Sequence, residues 1–262
     1  GGGTTGVGLA GSGVEATNTI AVKVGSWIKA DRSSGLAASG LNLTATDRSA
    51  INSEAGAVAL AAALGGTGGV AISVGVSLAR NTIANQVLAE IKNADGDGIT
   101  STADFGIRAG SSGINLLADE QAWIRTNASA AAITAAFGGT AGVGLSGAGA
   151  EANNVILTNN QARVSGSLIS SNGKVDVKAT NTATIDATVE SSAFSLAVGG
   201  TVGVGASIGA AVAHNSIGWA ATSTNPTYTT ANNPDSISYG NTVGIEAGAR
   251  GGQVYRYIGS SS

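Results

Sequence analysis

The chain has 262 residues, 41 of them Gly, with 43% hydrophobic, 11% charged and 4% aromatic residues and a net charge of −3. That much apolar content excludes a disordered polar tract, and the weak negative charge gives no electrostatic basis for binding nucleic acid or an anionic membrane. Cys and Met are both absent, which excludes disulfides and zinc–thiolate sites and suits a chain working outside the cell.

Residues Gly2–Ile20 (GGTTGVGLAGSGVEATNTI) read as the second half of a unit that recurs complete as Leu41–Ile83, Ile114–Ile156 and Val175–Ile217. Each complete copy opens with an apolar-x-apolar-x-Ala step: Leu41/Leu43/Ala45, Ile114/Leu116/Ala118, Val175/Val177/Ala179. An Ile follows at 51, 124 and 185, then a Gly-Gly-Thr beginning at Gly65, Gly138 and Gly199. Each copy closes on an Asn: Asn81, Asn154, Asn215, and Asn18 in the half copy. Copies start 73 residues apart (41 to 114) and 61 apart (114 to 175). Self-similarity of this kind marks a repeat array. It divides the chain into 1–64, 65–137, 138–198 and 199–262, with both ends falling inside a repeat.

Behind each Gly-Gly-Thr the pattern has period 2. Val70, Ile72, Val74, Val76 and Leu78 alternate with Gly69, Ala71, Ser73, Gly75, Ser77 and Ala79, and 202–213 repeats this. Alternation predicts β-strands with one bulky and one nearly bare face. Ala55–Ala79 carries no charge and is long enough for a membrane helix, but alternation puts the bulk on one strand face, so no membrane span is expected. The bare faces would let a second sheet approach closer than the usual ~10 Å.

Gly65, Gly66, Gly138, Gly139, Gly199 and Gly200 are expected at coil corners. The closing Asn residues are expected at coil corners, where Asn tolerates the left-handed conformation, and as stacked amide ladders along the axis. With roughly 20 residues per coil, each block is two coils and each connector a third. That predicts about a dozen coils in a rod of about 60 Å.

The connector after Asn81 holds Asn93-Ala94-Asp95-Gly96-Asp97-Gly98, a loop-forming run. Asp95 and Asp97, with Asp104, form a candidate Ca²⁺ site, since calcium takes oxygen ligands from carboxylates and carbonyls. His214 is the only His, so a His-based triad or multi-His metal centre is excluded within this chain. Glu151 is expected to pair with Arg80 or His214 across stacked units. Asp176, Asp186, Glu190, Lys174 and Lys178 alternate along strands without clustering, so no enzymatic site is expected. Both Pro residues and all four Tyr (Tyr228, Tyr239, Tyr255, Tyr257) fall between Pro226 and Tyr257. The connector 219–242 is therefore atypical and the Tyr residues are a candidate interface. Val243-Gly244-Ile245-Glu246-Ala247 reads as the start of a further block.

The step Gly173-Lys174-Val175-Asp176-Val177-Lys178-Ala179-Thr180-Asn181, repeated at Gly113–Glu120 and Gly40–Asp47, resembles rungs of filamentous-haemagglutinin-like adhesins. It is similar also to the Ala/Gly-rich repeats of giant secreted bacterial surface proteins. The resemblance implies a parallel β-solenoid (β-helix), extracellular or at the cell surface, used for fibre building or adhesion. The expected partners are further copies of the same unit, and surface glycans if the inserted loops bind; no cofactor other than the calcium is expected. A fold of stacked antiparallel hairpins is the alternative, because Gly-Gly between alternating apolar residues is also a hairpin signal. A polysaccharide-active β-helix enzyme is the weakest of the functional readings.

Overall fold

A computed structural model describes residues 3–29, 36–94, 106–218, 226–232, 234, 236–245 and 254–259. It is all β, with no helix among the described residues. In chain order the strands are β1 (Thr5–Ile20), β2 (Lys23–Lys29), β3 (Leu36–Asp47), β4 (Ala50–Gly65), β5 (Gly68–Lys92), β6 (Ile107–Glu120), β7 (Trp123–Gly138) and β8 (Ala141–Ser165). There follow β9 (Ile169–Ser171), β10 (Val175–Asn181), β11 (Thr184–Gly199), β12 (Val202–Gly218), β13 (Tyr228–Thr229), β14 (Thr242–Gly244) and β15 (Val254–Arg256).

Three parallel sheets carry the repeats. A spine sheet runs β1-β5-β8-β12 with β2 alongside β5, a base sheet runs β10-β6-β3 with β9 on β6, and a fin sheet runs β11-β7-β4. The chain passes along the base in β3 and outward through the fin in β4. It reverses at Gly65-Gly66-Thr67 and returns through the spine in β5, whose far half covers the base. The next repeat lies on this one in register: Thr5 pairs with Gly68, Gly68 with Ala141 and Ala141 with Val202. This path, with every ladder of the three sheets parallel, is compatible with a β-solenoid.

One repeat therefore makes one layer, and the expected dozen coils of about 20 residues are not present. The reason is the Gly-Gly-Thr reversal, which sends the chain back beside its own outgoing strand in a different sheet, so a long repeat adds a single rung. Four spine strands stack to about 15 Å, whereas the 25 residues of β5 extend about 80 Å. The chain forms a wide slab rather than a 60 Å rod. β4 and β5 run antiparallel across the turn, as a hairpin would, yet they belong to different sheets. Among the described residues the one antiparallel ladder is β14 with β15.

Two kinds of core result. Between base and spine, Leu43, Val87, Ile91, Ile107, Ile114 and Leu116 form a core of large side chains, each contributing about 1.5–3 kcal/mol on burial. Between fin and spine the interior is small. Ala55, Ala57, Ala59, Ala61 and Ala63 of β4 are buried, and so are Ala71, Ser73, Ser77 and Ala79 of β5. The bulky alternates point outward. Where a spine glycine faces the fin the backbones almost touch: a Cβ on Gly75 would lie 2.6 Å from the Ala131 carbonyl oxygen, and one on Gly69 2.3 Å from that of Phe137. Any side chain there would hold the sheets apart. Where the two cores meet, the Ile residues of fin and spine (Ile51 and Ile124, Ile83 and Ile156) form a buried plug.

Val243 does not begin another layer. β14 joins β13 and β15 in a separate small sheet rather than pairing with β10. Glu246 and Ala247 lie outside the described residues.

Candidate functional site: the stacked polar column and the open ends

The closing Asn residues lie within strands, not at corners. Asn81 sits in the middle of β5 with its side chain buried, and among the described non-glycine residues only Asn93 has positive φ. Alternation explains the placement: Asn81 continues the inward-facing row of Ser77 and Ala79. A buried amide needs partners, and the parallel register supplies them. Asn18 Nδ2 donates to Asn81 Oδ1, Asn81 Nδ2 to Asn154 Oδ1, and Asn154 Nδ2 to Asn215 Oδ1, each at 2.9 Å. The fin sheet completes the column. Thr126 accepts from Asn81 at 2.8 Å and donates to Asn154 at 2.6 Å, and Ser53 accepts from Asn18 at 3.3 Å.

The ladder has a direction. Among the described residues, Asn215 Nδ2 at one end has no acceptor and Asn18 Oδ1 at the other has no donor. The outer strands of the spine, β1 and β12, are each paired on one edge only.

A second polar column lies where the base turns into the fin. Asp47, Glu120 and Asn181 are in register, opposite Asn85 and Thr158, themselves in register. Asp47 accepts from Asn85 Nδ2 at 2.6 Å and from Ser49 Oγ at 2.9 Å, and Asn181 donates to Thr158 at 2.8 Å. Glu120 is fully buried and neither carboxyl oxygen receives a protein donor. Burial, and then the charge of Asp47, push its carboxyl up from 4.5 to about 8. A protonated Glu120 holds one hydrogen it can donate to Asp47, which removes the cost of two buried charges side by side. Sequence reading did not single out this pair. The signal was there: Leu41, Leu43, Ala45 and Asp47 share one face by alternation, so Asp47 and its register mate Glu120 had to point inward.

Other expected residues fall as follows. Gly66, Gly139 and Gly200 sit in the reversals, each next to the strand-ending Gly65, Gly138 or Gly199. Arg80 pairs with Glu15 of the neighbouring strand and not with Glu151, although both glutamates lie opposite Leu78 on the two strands that flank β5. Tyr228 and Tyr255 both pair with Val243 and so share a face of the small sheet. Tyr239 is exposed, and Tyr257 donates its backbone N–H to Asn241 at 2.8 Å. Asp95, Asp97, Asp104 and most of the connector they occupy lie outside the described residues, and so does Trp219. Among the described residues no three His, Asp or Glu side chains converge as a metal site. At the end of the stack an open groove of about 580 Å³ is lined by Thr158, Asn159, Asn160, Gln161, Ala179, Asn181, Ile217 and Gly218. The Asn160 Oδ1 beside it is buried without a donor.

No family model, curated protein or solved structure matches this chain significantly.

Proposed function

We propose that the chain is a structural unit of an extracellular or cell-surface fibre, an open solenoid whose layers continue from one copy to the next. The observation that carries the reading is the polarity of the Asn ladder between two strands with open edges. In a head-to-tail stack Asn215 Nδ2 of one copy meets Asn18 Oδ1 of the next, and β12 pairs with β1 in the register β12 already keeps with β8. Open strand edges template such addition unless something blocks them. Repeat arrays gain their stability from the contacts between neighbouring units, and the continuous columns of Asn and Ile provide those contacts here.

Electron microscopy and fibre diffraction of the purified chain test the proposal. The expected result is fibres with a strand spacing of about 4.8 Å along the axis, so that four spine strands give an axial rise per copy of about 19 Å. Monomers that stay dispersed at high concentration would count decisively against it.

A further inference from the structure

Fin strands seat between spine strands rather than over them. β4 packs against both β1 and β5, β7 against β5 and β8, and β11 against β8 and β12. Ala148 and Ala150 of β8 are buried because Ala130 and Ala132 of β7 and Val189 and Ala193 of β11 close on them from either side. Their register mates on β12, Gly209 and Ala211, have β11 alone and are exposed. The seating follows one rule from layer to layer. Gly6, Gly69, Gly142 and Gly203 are in register along the spine. A Cβ on Gly6 would run into the carbonyl oxygen of Leu64, one on Gly69 into that of Phe137 and one on Gly142 into that of Val198. Those three residues are register mates along the fin. On Gly203 it would meet Ala197 of β11, the strand already behind it, at 2.7 Å. Each of β1, β5 and β8 thus receives the fin strand that follows it, and among the described residues β12 receives none.

The strand edge beside that seat is open. β11 is paired only on its β7 side and runs 16 residues without a register shift. It has no Pro, Lys or bulge, the devices that blunt an edge strand. We propose that the β11 edge, above the bare face of β12, binds a parallel strand donated by another polypeptide, as a fourth fin strand. The inward rows of the fin define the chemistry of the donor. Each begins with Ile (Ile51, Ile124, Ile185) and continues at every second position with Ala, Ser, Thr or Val. Main-chain hydrogen bonds supply the affinity of such an addition and the alternate side chains its specificity. A second copy has no fin strand to spare, since each is seated between its own spine strands.

In a head-to-tail stack the seat gains a second wall. Joining β12 to β1 of the next copy leaves β11 and the next β4 two strand spacings apart, about 9.6 Å, which is room for one strand. That far wall rests on the stacking proposed above. The seat on β11 and β12 does not, and a single copy has it.

A synthetic peptide of the β7 sequence, Trp123–Gly138, is the probe, and it sets Arg125 beside Asp186 as β7 already does. Fluorescence anisotropy of the labelled peptide with the dilute full chain should show saturable, one-to-one binding. Ala211→Lys lays a long charged side chain across the seat from an exposed position and should weaken binding at least about tenfold. Ala132→Lys in the peptide should do the same without touching the fold of the chain. Because the chain has no Cys, cross-linking can report the register. Ser192→Cys in the chain should form a disulfide with a peptide carrying Ala131→Cys, its register mate, and not with one carrying Ala135→Cys. Absence of saturable binding overturns the proposal, as does cross-linking indifferent to position. A chain that dimerises through Ser192→Cys and excludes the peptide also overturns it, by making a second copy the occupant. Peptide bound in register to copies that never form fibres upholds this inference while the stacking fails, and fibres that take up no peptide do the reverse.

Discussion

Asn81 Nδ2 donates to Asn154 Oδ1 at 2.9 Å across the spine, and both side chains are excluded from solvent. Removing either amide strands its neighbours in a dry interior. Asn154→Ala leaves Asn81 and Thr126 each short of an acceptor and is expected to cost roughly 2–4 kcal/mol. Asn215→Ala, at the exposed end of the ladder, should cost less than about 1 kcal/mol. Urea unfolding of the two variants decides the point, and equal losses would mean the ladder's interior has no special weight.

The near contact of fin and spine backbones makes a sharp distinction among glycines. Gly75→Ala places a methyl 2.6 Å from the Ala131 carbonyl, and prising the sheets apart is expected to cost roughly 1–3 kcal/mol. Gly56 is outward-facing, with only Ser129 Oγ at 3.6 Å from an added Cβ, so Gly56→Ala should be neutral or slightly stabilising. Thermal melts of the pair would show a lower midpoint for the first alone.

Glu120 links stability to pH. Its carboxyl is raised from 4.5 to about 8, chiefly by burial. Between those values the folded chain holds a proton that the unfolded chain has released. The contribution is therefore complete below about pH 4.5 and is lost as pH rises towards 8. Stability should fall on the order of a few kcal/mol across that window. Glu120→Gln, which keeps a donor for Asp47 without a titrating proton, should flatten the decline and be more stable than the wild type at pH 8. Unfolding free energies measured from pH 5 to 8.5 would expose a wild type without slope.

Two ion pairs bridge the spine, and they should differ in weight. Arg80 and Glu15 are both about half exposed, so Glu15→Ala should cost less than about 1 kcal/mol. Glu90 lies mostly under the surface, 2.8 Å from Arg163 Nε, and charge-assisted hydrogen bonds to buried carboxylates are stronger. Glu90→Ala should cost roughly 1–3 kcal/mol. A stability assay at 1 M salt should narrow the first difference and leave most of the second.

Much of the architecture could be read from residue order. The alternation of Val70 to Leu78 with Gly and Ser marked strands, and the recurring Ile and Asn positions marked columns that the register then aligned. What alternation cannot report is which face is covered. Nothing local tells a bulky row whether it lines a core, and here the bare row is inside because glycine lets the backbones close on each other. The layer count failed for a related reason. The same Gly-Gly-Thr step serves a corner between coils and a reversal within one, and only the long-range pairing distinguishes them. Asn81 was placed at a corner on conformational grounds, whereas its position two before Ile83 on the inward row decides its place. The buried carboxyl of Glu120 was legible only from its place on the inward row that Ile114, Leu116 and Ala118 begin.

Consecutive spine strands are offset by 63, 73 and 61 residues, yet Asn18, Asn81, Asn154 and Asn215 stay aligned to one side-chain bond length. The repeat is constant in space and inconstant in residue number, with most of the difference taken up in the passage from spine to the next base strand and a residue or two in the base strand itself, where the register shifts between Ala38 and Gly40. Chain length thus drifts on that side of each circuit, while the fin and spine strands keep their count. A foreign peptide introduced there would ride on the slab without disturbing it, whereas a single extra residue in β4 or β5 would turn every inward side chain outward.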